Sequence, residues 1–338
     1  MGVPLSVLDL VPVGSGSDAS RAIRNSIALA QLVDRLGFTR YWLAEHHNMP
    51  GIASAAPEIL ISVIARETER LRVGSGGVML PNHSPLKVVE WFRTLEALYP
   101  GRIDLGLGRA PGTDQLTALA LRRSREALGA DDFQSQLAEM LAFDNADFPE
   151  DHPFKAITAV PVGVHLPPLW LLGSSDYGAQ VSAALGVGFA FARHINPDGA
   201  EYAIRLYKER FSPSEELAKP YAIVAVAVIC AESEEEADRL AMSADLSFLR
   251  LRSGKPGLFP SVEEAEAYPY TPMERAQARS GRSRYVLGTP ERVKAGLEAI
   301  VAATGADEVM VTTMVHDHAA RLRSFALLAG VWGTSNEC

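Results

Sequence analysis

Cysteine is almost absent. Cys230 and Cys338 are the only two, too few for a disulfide framework. Cys230 closes an apolar run and is expected to pack as a small buried hydrophobe. Long hydrophobic stretches are missing too, none approaching the ~20 residues of a membrane span. Residues 1–12 lack the basic flank and apolar core of a signal peptide, so a cytoplasmic location is expected. Positive charge is in deficit. The 32 Lys and Arg face 41 Asp and Glu, for a formal charge of -9. With no basic cluster, this argues against a nucleic acid or an anionic membrane as partner. A dinucleotide fingerprint is also lacking. Gly106-Leu107-Gly108-Arg109-Ala110-Pro111 carries proline where the third glycine of G-x-G-x-x-G belongs.

What is present is an ordinary globular composition, 47% hydrophobic and 22% charged over 338 residues. Apolar runs fall at 5–10, 41–45, 71–80, 102–108, 168–172, 187–192, 221–230 and 308–314. Helical patterns follow them, with start signals such as Asp18 or Ser20, Pro57, Pro85, Pro290 and Asp317. Strands apolar on both faces indicate a parallel sheet covered on both sides. An open doubly wound sheet and a closed barrel both fit, and eight strand–helix units favour a single (β/α)8 barrel over residues 1–338. Residues 144–165 show no period. Residues 253–284, rich in Pro, Gly and charge, form the longest insertion, after the seventh strand. It reads as a lid, or as a surface insertion or dimer arm.

In such a barrel, chemistry sits at the carboxyl ends of the strands. There the sequence has Asp9, then Glu45 with His46 and His47, Asn82 with His83, and Arg109. Ser174 with Ser175, His194, and His316 with His318 complete the set. Gly173-Ser174-Ser175-Asp176 opens a helix, where free N–H groups and hydroxyls suit a phosphate. A plain N-cap is the alternative, and Arg109 tips the balance toward an anion. Gly74-Ser75-Gly76-Gly77 interrupts a strand, as a bulge or as a surface for something flat. His316 and His318, with His46 and Glu45, raise a rival: a metal-dependent barrel hydrolase.

Four segments, in order, resemble the flavin-dependent luciferase-like monooxygenases. They are Ala44-Glu45-His46-His47, residues 76–83 (Gly76-Gly77-Val78-Met79-Leu80-Pro81-Asn82-His83), residues 107–114 (Leu107-Gly108-Arg109-Ala110-Pro111-Gly112-Thr113-Asp114), and Leu172-Gly173-Ser174-Ser175. The resemblance implies a (β/α)8 barrel. It also implies reduced FMN from a separate flavin reductase, and O2, oxygenating a small organic substrate through a flavin C4a-peroxide. It places the phosphate on Arg109, Ser174 and Ser175, with Gly173 and Tyr177. It places the ring over Ser75, Gly76 and Gly77, with a non-proline cis peptide there. His46 becomes the proton-handling catalytic residue, titrating near neutrality and oriented by Glu45. Trp42, His47, Met79 and His83 are expected to line the substrate pocket. A homodimer through the helices after strands two and three is implied as well. Light-emitting members carry an acidic residue where this chain has Gly173, so light emission is not expected. Some relatives use a deazaflavin instead.

Overall fold

The computed structural model describes residues 2–124 and 132–334. Ten parallel strands are present among them: β1 (Leu5–Asp9), β2 (Arg40–Leu43), β3 (Arg72–Ser75), β4 (Val78–Met79), β5 (Ile103–Gly108), β6 (Leu169–Gly173), β7 (Gly188–Ala192), β8 (Ala222–Cys230), β9 (Tyr285–Gly288) and β10 (Glu308–Thr312). The ring runs β1-β2-β3-β5-β6-β7-β8-β10 and closes, because β10 pairs with both β8 and β1. Helices cover the outside, and the architecture is the expected (β/α)8 barrel. β4 continues β3 past the cis Gly76–Gly77 peptide, and the expected strand 71–80 is observed as these two pieces.

Local signals explain where the helices begin. Asp18 accepts the Arg21 N–H (2.7 Å), and Asp317 accepts that of Ala320 (2.6 Å). Proline occupies the first turn of the helices Pro57–Glu67, Pro85–Leu98 and Pro290–Thr304. The expected strand 41–45 ends at Leu43, and the last strand ends at Thr312. Residues 253–284 are ordered, with helices at Val262–Ala267 and Pro272–Ser280. They lead into β9, a four-residue strand on the far end of β8 that sequence periodicity did not show.

The strands divide two apolar layers by their alternation. Val7, Tyr41, Leu107, Leu171, Phe189 and Val309 face the helices. Leu8, Trp42, Trp170, Ala190, Ile223, Ala225 and Met310 fill the barrel. Charge plugs the amino end of the barrel. Arg40 bonds Asp104 (Nη1–Oδ2 2.8 Å) and Glu308 (Nε–Oε2 3.1 Å), and Arg72 bonds Asp104 (2.6 Å). Trp42 Nε1 and the Tyr221 hydroxyl donate to the same two carboxylates (3.0 and 2.9 Å). Each buried charge is therefore paired and hydrogen-bonded, the condition under which burial is tolerated.

Asp9 does not join the active rim, contrary to the expectation for strand ends. It shares the parity of Val7 and points outward into the helix layer. There it accepts from Arg321 Nη2 (2.6 Å), Ser26 Oγ (2.6 Å), the Val11 N–H (2.8 Å) and the Tyr41 hydroxyl. Burial pushes its carboxyl up, but Arg321 and the hydrogen bonds outweigh that and leave it below the usual range. Asp9 thus ties helix Ala19–Arg35 to helix His318–Trp332.

Candidate active site

A cavity of about 260 Å³ opens at the carboxyl ends of the strands. Its floor is made of small residues, Gly76, Gly77, Gly108, Ala190, Ala192 and Ala225, with Trp42 below. Backbone crowding from β5 requires glycine at Gly77. A Cβ on Gly77 would lie 2.7 Å from the Gly106 carbonyl oxygen, and one on Gly76 would lie 2.5 Å from Leu8 Cδ1. At one end stand Arg109, Gly173, Ser174, Ser175 and Tyr177, all on the cavity. The Arg109 guanidinium lies 4.1 Å from the Tyr177 ring centre, which orients its plane. Ser175 precedes helix Asp176–Leu185 and makes no capping bond to it, so the first-turn N–H groups are not taken by their own sequence. Asn196 Nδ2 donates to the Ser174 carbonyl (2.8 Å) and holds the turn. Asp176 is exposed and bonds Gln180 (3.3 Å), off the cavity. This end therefore gathers a guanidinium, two hydroxyls and an uncapped helix start, the donor set of an anion site.

At the other end stand Glu45, His46 and His194. Glu45 is 1% exposed and accepts three bonds: from His47 Nε2 (2.8 Å), His83 Nε2 (2.9 Å) and the Met79 N–H (2.8 Å). Burial alone pushes its carboxyl up. The bonds from His47 and His83 and from Met79 prevail and hold it to about 2. Glu45 is thus an anion at any working pH, joining the end of β2 to β4.

Several expected roles change. His47 and His83 do not line the cavity; they point at Glu45, and His83 packs on Trp91 (5.4 Å between ring centres). Ser75 is fully buried between strands, donating to the Gly106 carbonyl (2.8 Å) and accepting its N–H (3.0 Å). Glu45 does not hydrogen-bond His46. Instead, His46 Nδ1 lies 3.3 Å from the Gly112 carbonyl, and its backbone N–H donates to Ser54 O (3.0 Å). Burial pulls the His46 pKa down from its ordinary value, against the Gly112 bond and the Glu45 charge, which favours the neutral ring. Trp42 and Met79 do lie on the cavity.

His316 and His318 do not converge on it. His316 Nε2 bonds the Ser15 carbonyl (2.9 Å), and His318 starts the last helix behind its Asp317 cap. Among the described residues, no three His, Cys, Asp or Glu side chains are grouped as metal ligands.

His194 was visible at a strand end but had no assigned role. Its position after β7 is the only linear signal; the fold brings it to the cavity wall. Burial pulls its pKa to about 4, against the Ala225 carbonyl 3.3 Å from Nδ1.

The sequence model described as "Luciferase-like monooxygenase" matches residues 3–308. The chain belongs to the luciferase-like monooxygenase family. Its relatives include a luciferase-like monooxygenase of Escherichia coli (strain K12), 46% identical over 97% of each chain. An N-acetyl-S-alkylcysteine monooxygenase of Bacillus subtilis (strain 168) is 33% identical over 97% of each chain. The crystal structure of apo-MsnO8 superposes with a TM-score of 0.88 at 40% identity, over 98% of each chain. At 19% identity, the oxygenating constituent of 3,6-diketocamphane monooxygenase from Pseudomonas putida, in complex with FMN, shares the fold (TM-score 0.72, 97% of each chain). So does an F420-dependent secondary alcohol dehydrogenase at 13% identity (TM-score 0.70, 100% of each chain). Both of these structures share the barrel fold of this luciferase-like enzyme.

The histidine environment sets a pH dependence. Between pH 6.5 and about 4 the unfolded chain protonates His194 while the folded chain does not. Stability therefore falls as pH drops through that window, by at most about 3 kcal/mol because the ring is only partly buried. Glu45 acts lower down, its contribution lost between pH 4.5 and about 2. Urea unfolding at pH 7 and pH 4.5 should show a smaller drop for His194→Leu than for wild type. Equal drops would contradict the assignment.

Proposed function

We propose that this chain is a monooxygenase that uses reduced FMN and O2 to oxygenate a small organic substrate. The observation that carries the reading is one cavity with an anion site at Arg109, Ser174 and Ser175 and a glycine floor beside a histidine. These residues fit the cofactor. A guanidinium and an uncapped helix start suit a phosphate, and the bare backbone of Gly76 and Gly77 on the cavity lining suits a planar ring. Gly173 lets the phosphate approach the backbone, and Tyr177 steadies Arg109. When bound, reduced FMN supplies the two electrons that divide O2 between product and water.

The protein's part is placement, dryness and proton control. Glu45, with its three donors, fixes the loop that carries His46. His46 engages Gly112 through Nδ1, which leaves Nε2 to take or return a proton at the cavity. Trp42, Met79 and Leu10 keep the reacting region apolar. Residues 253–284 contribute nothing to this cavity's lining and are anchored beside it, where Phe259 exchanges backbone bonds with Val13 and Ser15 (2.8 Å each). A separate flavin reductase supplies the reduced cofactor from the cytoplasm. The chain pairs with a second copy through helices Pro57–Glu67 and Pro85–Leu98, where Ile59 (62%) and Leu98 (57%) are exposed.

Equilibrium titration with FMN and riboflavin tests the phosphate site. Arg109→Ala should weaken FMN about tenfold or more and riboflavin little, since only FMN carries the phosphate. Equal losses would show that Arg109 does something else, and F420 titrated in parallel separates the two flavin classes. In the same assay His46→Gln should bind FMN normally. With a flavin reductase and candidate substrates, it should lose product by ~10²–10⁴-fold in rate, with oxygen diverted to hydrogen peroxide. Unchanged product yield removes His46 from the chemistry.

Sedimentation at micromolar concentration should show a dimer that Ile59→Asp with Leu98→Asp dissociates. A wild-type monomer would refute the pairing.

A further inference from the structure

A second cavity, of about 160 Å³, adjoins the first. Leu10 and His194 form a wall common to both. The remaining sides come from Ala227 on β8, Tyr285 on β9, Thr312 and Met314 at the end of β10, and Phe248 and Arg284. Gly281 and Ala278 bring residues 253–284 over it as a roof. Most of this lining is apolar.

The polar groups in it are placed for an absent partner. Thr312 is 4% exposed, and its Oγ1 has no hydrogen-bond partner. A buried hydroxyl left unpaired costs free energy that a bound acceptor would recover. The Arg284 guanidinium lies 4.7 Å over the Phe248 ring. Such a stack fixes the plane and leaves the N–H edges open to an anion. Among the described residues no carboxylate pairs with Arg284. The carboxylate on the same lining, Asp245, is taken by Arg282 (Nη2–Oδ2 2.8 Å, Nε–Oδ1 3.1 Å). Burial pushes the Tyr285 phenol up to about 12, so it stays a neutral donor.

We propose that this chamber receives the substrate, a small apolar molecule bearing a carboxylate, with Arg284 and Thr312 binding the anion. The apolar body then extends along Met314 and Leu10 toward the wall shared with the larger cavity. Naming the occupant a substrate rests on the flavin reading; the anion selectivity of the chamber does not.

Calorimetric titration of the full chain with hexanoate and with 1-hexanol separates the two. Hexanoate should bind about tenfold or more tighter than the alcohol of equal length. Arg284→Met should abolish that preference, Arg284→Lys should keep most of it, and Thr312→Val should weaken hexanoate about threefold. FMN affinity should be the same in all three variants. The proposal is overturned if neither probe binds, if both bind alike, or if Arg284→Met keeps the preference. Selective hexanoate binding through Arg284 by a chain that fails to bind FMN would support the chamber's anion site and remove the flavin reading.

Discussion

The buried carboxylate of Glu45 is the constraint on which the site depends. It closes β2 with a charge that water does not reach, and three donors satisfy it. Bonds to a charged group contribute about 1.5–3 kcal/mol each, and the cost of leaving this anion unpaired in the interior is larger still. Meeting that demand pulls His47, His83 and Met79 at the end of β4 onto one point. The segment between them then has little freedom. His46 is held between Ser54 and Gly112 with its second nitrogen toward the cavity, and Met79 becomes part of the wall. One anion thereby specifies the position of an imidazole it does not hydrogen-bond.

The same eight-stranded ring solves two opposing problems at its two ends. At the amino end, large and charged side chains fill the barrel, and Asp104 and Glu308 are neutralised by Arg40 and Arg72. At the carboxyl end, glycine and alanine replace them, and the barrel stays open enough to hold a ligand. Residues such as Leu8 and Trp42 separate the two regimes. Outside the ring, Asp9 and Arg321 join the first and last helices, so that closure of the sheet and closure of the helical layer reinforce one another.

Much of this was legible in one dimension. Apolar runs ending in polar residues gave the strand ends; the Gly76-Gly77 interruption and the Gly173-Ser174-Ser175 helix start are local signals, and both lie on the cavity. What stayed hidden depended on direction and distance. His47 and His83 look like pocket residues until the end of β2 is known to stop at Leu43 and their rings turn to Glu45. Ser75 looks like a ligand until its hydroxyl is seen bridging to β5. Asp9 sits at a strand end, yet its parity sends it outward. The downward shift of His46 comes from packing that no spacing encodes. β9 is too short to show a period, and Arg284 and Thr312 lie far from any motif.

In the proposed binding mode the large cavity holds a flavin by its phosphate at Arg109, Ser174 and Ser175, with the ring on Gly76 and Gly77. Diffraction from crystals grown with FMN tests it most directly. Phosphate density is expected within hydrogen-bond distance of Arg109 and a Ser174 or Ser175 hydroxyl, and ring density against the Gly76–Gly77 peptide with His46 beside it. Density for FMN elsewhere, or a ring away from the two glycines, would contradict it.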